Sequence, residues 1–119
     1  MPDYSCIKLS NKEDVAVVHL VDDKVMDAER IAVLGEELMA LANRDDGKRM
    51  LINMDNVRFL SSSAINKLIV LERRLSDAGG DLKLSNLSPE VEEVFNITQL
   101  HSVFDIRDDE TDALTAFGD

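Results

Sequence analysis

Three consecutive hydroxyls, Ser61, Ser62 and Ser63, form the one stretch where this sequence concentrates reactive groups at a special backbone location. They precede Ile65, Leu68, Ile69, Leu71 and Leu75, apolar residues at helical spacing, so they stand where a helix begins. A helix start offers unpaired N–H groups and the positive end of the peptide dipoles, which together favour an anion. A phosphate on one of these serines would add about −1.5 to −2 charges and three acceptor oxygens, enough to alter a docking surface without refolding the domain. The plainer use of the same residues is capping, in which a hydroxyl accepts an N–H of the first turn. A nucleophilic serine enzyme is disfavoured, because no G-x-S-x-G elbow surrounds the triplet and neither His19 nor His101 has an evident triad partner.

The remaining candidates for chemistry read as structure. His19 lies inside the apolar run Val15–Val21 and is expected to be a hydrogen-bonded strand imidazole. Cys6 is the only cysteine, so no internal disulfide can form, and it reads as a small apolar strand residue. Gly79-Gly80 is a turn, since neither phosphate-loop pattern is present. Acidic pairs such as Asp22-Asp23, Glu36-Glu37, Asp45-Asp46 and Glu92-Glu93 read as a solvated surface, and no loop has calcium-ligand spacing. Neither a metal nor another cofactor is expected. The net charge of −11 repels a nucleic-acid backbone or an anionic membrane, and the absence of Trp with only 4% aromatics disfavours a base-stacking platform. No stretch approaches the length of a membrane span, and Met1-Pro2-Asp3-Tyr4 does not open a signal peptide, so a cytoplasmic protein is expected.

The length of 119 residues fits one domain over 1–119. Apolar runs of strand length alternate with stretches of helical period, which predicts an α/β fold with five strands and about four helices. Ser5–Leu9 and Val15–Val21 are expected to pair as an antiparallel hairpin around a turn at Ser10-Asn11. Asp27 caps a helix carrying Ile31, Leu34, Leu38 and Leu41 that ends near Asn43. Met50–Ile52 is a central strand, followed by a loop over 53–60 and the helix that the serines open. Leu82 and Leu84 mark a fourth strand, Ser88-Pro89 opens a helix with Val91, Val94 and Phe95 facing inward, and Val103–Ile106 is the last strand before a short acidic helix over 108–117. The sheet is thus mixed, its antiparallel first pair followed by βα units with right-handed crossovers.

With these elements in place, Leu51–Ile65 resembles the strand, loop and serine-bearing helix start of STAS domains, most closely the stand-alone bacterial anti-sigma factor antagonists. Gly79–Leu84, Ser88-Pro89-Glu90-Val91, Phe95 and Thr98-Gln99-Leu100 fall in the same family's order and spacing. The resemblance implies a phosphorylation site at Ser62, with Ser61 and Ser63 as lesser candidates. It also implies a partner-switching cycle: the unmodified domain captures an anti-sigma factor with serine kinase activity, and a PP2C-type phosphatase later resets the serine. The domain would then be a substrate and ligand and not an enzyme. The implied docking surface comprises Ser61, Ser62, Ser63, Ala64 and Asn66 with Asp22, Asp23 and Asp27 of a neighbouring loop. Ser61 stands where the family usually has Asp, and Ala64, Asn66 and Gln99 where it commonly has Gly. The departure at Ser61 keeps open a second reading, a constitutive interaction scaffold of a signalling complex that is never phosphorylated. If Ser62 is the cap, Ser62→Ala costs about 1 kcal/mol, and loss of packing makes Leu68→Ala and Val94→Ala destabilising.

Overall fold

In the computed structural model, which describes residues 4–118, strands β1 (Ile7–Lys12) and β2 (Val15–Leu20) form the expected antiparallel hairpin. Its turn is Glu13-Asp14, both at positive φ (52° and 67°), as a two-residue hairpin loop requires to match the twist of its strands. Ser10 and Asn11, expected in the turn, are instead paired with Val17 and Ala16. No glycine flags the true turn, so the first strand starts and ends later than its alternation suggested. Cys6 is buried just before β1 and not within it, and burial pushes its thiol up from the ordinary value.

After β2 come β3 (Lys24–Val25), α1 (Ala28–Ala42), β4 (Arg49–Asn53), β5 (Phe59–Leu60) and α2 (Ser62–Asp77). The chain continues with β6 (Asp81–Ser85), α3 (Pro89–Ile97), β7 (Asp105–Arg107) and α4 (Glu110–Gly118). Five strands make the main sheet in the order β1-β2-β4-β6-β7, parallel from β2 onward. The two shortest, β3 and β5, form a separate parallel ribbon where the sequence predicts only loop. The last strand begins at Asp105 and not Val103, because a short 3-10 helix at Leu100–Ser102 intervenes and leaves Val103 exposed. Gln99 enters that turn with φ 62° and ψ 21°, the left-handed conformation that a glycine adopts without steric cost.

Each helix is cut where its capping residues dictate. Asp27, Ser61 and Ser88 accept the N–H groups of Arg30, Ala64 and Val91, and Pro89 supplies the fixed φ of a first helical position. Gly80 closes the corner between α2 and β6, where an added Cβ would lie 2.4 Å from the carbonyl oxygen of Lys48. Helices α1 to α3 bury Leu34, Leu38, Leu68, Leu71 and Phe95 against Val18, Ile52 and Leu84 on one face of the sheet. On the opposite face α4 buries Ala113 and Phe117 against Val15, Val17 and Leu51. Val94 lies 36% exposed beside this core and not inside it, so Val94→Ala loses the stabilising role expected for it, whereas Leu68 is 1% exposed. Strand order never reverses between β2 and β7. Open α/β sheets form ligand crevices at such reversals, so the topology favours the outer surfaces of the elements as the working parts. No helix among the described residues is long and apolar enough to cross a membrane.

The start of α4 is held to the sheet by polar contacts. Glu110 receives hydrogen bonds from Lys12 at 2.7 Å and Asn53 at 3.1 Å. His19, half-exposed near the end of β2, lies 3.4 Å from Glu110 and 3.5 Å from Asp55, so the imidazole has two carboxylate neighbours invisible in the sequence. The bond from Lys12 is the largest influence holding Glu110 below the ordinary Glu range, with help from Asn53 and against the opposing pull of burial. A depressed carboxylate contributes stability above its unfolded-state value and loses it as the pH falls through the folded one. Parent protein should therefore lose more stability than Lys12→Met between about pH 5 and pH 2. Urea midpoints measured across that window would show parallel losses if this clasp were inert.

Candidate functional site

The serine triplet divides into different roles. Ser61 is the N-cap of α2: its backbone is extended (φ −73°, ψ 164°) and its hydroxyl accepts the N–H of Ala64 at 3.2 Å. Ser62 and Ser63 are the first helical residues, both exposed, and neither hydroxyl bonds to another described residue. The N–H groups of Ser62 and Ser63 likewise meet no acceptor among the described residues, as expected of a first turn. The site thus presents a free hydroxyl on a helix end that carries partial positive charge.

This assignment moves the capping role expected at Ser62 to Ser61. Ser61→Ala should cost about 1 kcal/mol while Ser62→Ala is nearly neutral. Chemical denaturation of the two variants checks it, and equal midpoints would mean that the cap contributes nothing. Serine and aspartate are comparably good N-cap residues, so a serine at position 61 suffices for this cap.

The ribbon sets where the triplet sits. The carbonyl of Asp23 accepts the N–H groups of Arg58 at 2.7 Å and Phe59 at 3.2 Å, and the carbonyl of Val25 accepts that of Ser61 at 3.0 Å. Asn56 adds a side-chain bond to the carbonyl of Val21 at 2.7 Å. The loop carrying Asp22, Asp23 and Asp27 is therefore fastened through Asp23 to the segment before the serines and through Val25 to Ser61 itself. Its acids do different work. Asp22 is held in a two-pronged pair with Arg30 (2.8 and 2.9 Å), whose hydrogen bonds are the main cause holding its carboxyl below the ordinary Asp range. Asp27 caps α1, and the Asp23 side chain is exposed. Ala64 is fully buried, so it shapes the helix start from beneath and offers no contact surface. Asn66 is exposed one turn along α2, in a groove shared with Gly35 and Met39 of α1 and Lys67 and Val70 of α2.

Among the described residues no group of three or more His, Cys, Asp or Glu side chains is placed to hold a metal ion. The chain belongs to the STAS domain family, whose profile matches residues 7–113. It is 32% identical over 74 residues to an anti-sigma-B factor antagonist of Bacillus subtilis (strain 168), a match covering 62% of this chain and 66% of that protein. The fold superposes with a TM-score of 0.82 on a STAS domain protein from Planctomyces limnophilus, at 23% identity over 95% of this chain and 98% of that one. It superposes with a TM-score of 0.70 on the phosphorylated form of the Bacillus cell fate determinant SpoIIAA, at 18% identity over 93% and 98% of the two chains.

Proposed function

We propose that this chain is a phospho-regulated anti-sigma factor antagonist whose switch residue is Ser62. The observation that carries the reading is the free, exposed Ser62 hydroxyl at the first position of α2, beside a docked acidic loop. Unmodified, the surface formed by Ser61 to Ser63, Asn66 and the Asp22–Asp27 loop captures an anti-sigma factor with serine kinase activity and so frees a sigma factor. The kinase transfers the γ-phosphoryl group of ATP to Ser62 Oγ, which loses its proton, and ADP leaves. The phosphate then places about two negative charges on the docking face and ends the complex. Water in a PP2C-type phosphatase later cleaves the phosphoryl–oxygen bond, restoring the hydroxyl and releasing inorganic phosphate.

Of the three serines, Ser61 is committed to its cap and half-buried, which leaves Ser62 and Ser63 as accessible acceptors. The family resemblance favours Ser62, and the SpoIIAA neighbour is a protein known in a phosphorylated form. Intact-mass and tandem mass spectrometry test the reading, on chain from its native cells before and after incubation with ATP and a candidate anti-sigma kinase. A single phosphate on Ser62 is expected. No phosphate on any of the three serines would make the chain a constitutive scaffold instead.

A further inference from the structure

Asn53, the last residue of β4, carries a primary amide only 5% exposed, and both of its polar ends are engaged. Its Nδ2 donates to Glu110 Oε1 at 3.1 Å, and its Oδ1 accepts the N–H of Asp55 at 2.9 Å. A carboxylate only accepts and a backbone N–H only donates, so these partners demand a side chain that carries both functions. They lie on different parts of the fold. Glu110 is the first residue of α4, which packs over Leu51, two residues before Asn53 on the same face of the sheet. Asp55 lies in the turn between β4 and β5. His19 brackets the same pair from the neighbouring strand: it is the register partner of Asn53 and stands 3.4 Å from Glu110 and 3.5 Å from Asp55.

From Asp55 the connection runs on to the docking face. The next residue, Asn56, is exposed, and its side chain donates to the carbonyl of Val21, where the loop of Asp22 to Asp27 begins. Two residues further along, the N–H of Arg58 closes on the carbonyl of Asp23. One turn therefore seats the loop against the segment that leads into Ser62, and Asn53 holds that turn from beneath. We infer that Asn53 is a positioning residue for the capture proposed at Ser62: its amide ties the start of α4 to the turn that sets the docking loop's place relative to the serine. The inference rests on the reading of Ser62 as the captured serine. A kinase that contacts both the serine and the loop binds less well once the two are no longer held in one arrangement, because binding must then order them.

The test is the steady-state rate of phosphoryl transfer by the anti-sigma kinase that modifies the parent chain, with KM and kcat read separately and urea midpoints measured alongside. Asn56→Ala removes the last side-chain bond of the relay at an exposed position, so the chain folds and circular dichroism verifies it. It should raise KM about threefold to tenfold with kcat unchanged. Asn53→Asp takes the donor away and sets a second carboxylate against Glu110, and should raise KM about tenfold or more. Adding Glu110→Gln exchanges donor and acceptor across the same gap and should bring KM back to within about threefold of parent. A purely structural role would lower the urea midpoints and leave the KM of the folded chain at the parent value. If Asn56→Ala and Asn53→Asp both keep KM within about twofold of parent while Ser62→Ala is not modified, the inference is wrong and the reading of Ser62 stands. If the double variant stays as impaired as Asn53→Asp, the amide is not the link and the inference is likewise overturned. Should Asn53→Asp fail to fold, the KM of Asn56→Ala decides. If Ser62→Ala is modified like the parent, or no kinase modifies the chain, the reading of Ser62 fails and takes the inference with it.

Discussion

Replacing Phe95 with Ala should remove about 3–5 kcal/mol of stability, a large share of the roughly 5–15 kcal/mol that holds a domain together. Phe95 is fully buried where α3 meets the sheet, and its ring packs against Phe104 at 5.7 Å between centroids, tilted by 42°. Truncation removes the transfer free energy of the ring and leaves a cavity that β6 and β5 cannot close, since both are pinned by strand pairing. The aromatic pair adds about 0.5–1.5 kcal/mol to the area term. Phe95→Leu, which fills most of the space, should recover much of the loss. Urea denaturation of the two variants decides it: similar midpoints for Phe95→Ala and the parent would mean that α3 is not part of the cooperative core.

Ser62→Asp should act in two opposite directions. On stability the change is mildly favourable, by about 0.3–1 kcal/mol, because a carboxylate at the first helical position sits at the positive end of α2. On partner capture it is severe. A serine that a kinase phosphorylates must lie against the γ-phosphate of bound ATP, and a carboxylate there opposes like charge, at a cost of several kcal/mol. That corresponds to about a hundredfold loss of affinity or more. Ser62→Ala, which is neutral, should bind like the parent and resist modification. Melting temperature and kinase affinity of both variants give the readout, and an Asp variant that bound as tightly as the Ala variant would remove the electrostatic basis of the switch.

Most of the architecture is legible in the sequence because the period of the apolar residues carries it. The stripe at Ile31, Leu34, Leu38 and Leu41, the run Met50–Ile52 and the punctuation by Asp27, Ser88-Pro89 and Gly79-Gly80 all correspond to elements that form. The failures share a cause, which is that pairing across space overrides local signal. Ser10 and Asn11 have turn chemistry, yet the strand register holds them opposite Val17 and Ala16. The ribbon of β3 and β5 is two residues per strand, too short to show any period. Val94 sits at a core-like spacing but α3 rolls it toward Phe59 and solvent. At the site, the sequence points to the serine triplet, while only coordinates separate the capping Ser61 from the free Ser62. The neighbours of His19 come from β4's loop and α4, and no spacing rule links them to it.

The fastening of the ribbon has a kinetic consequence. With Asp23 and Val25 already bonded to Arg58, Phe59 and Ser61, the docking loop has no ordering left to do when a partner arrives. Encounter with the unmodified serine then proceeds at the ordinary rate for rigid surfaces, about 10⁵–10⁷ M⁻¹ s⁻¹. In the proposed cycle a phosphate on Ser62 would shorten the dwell time of the complex, so the signal would be written as a lifetime: long-lived pairs while the serine is bare, brief collisions once it is charged.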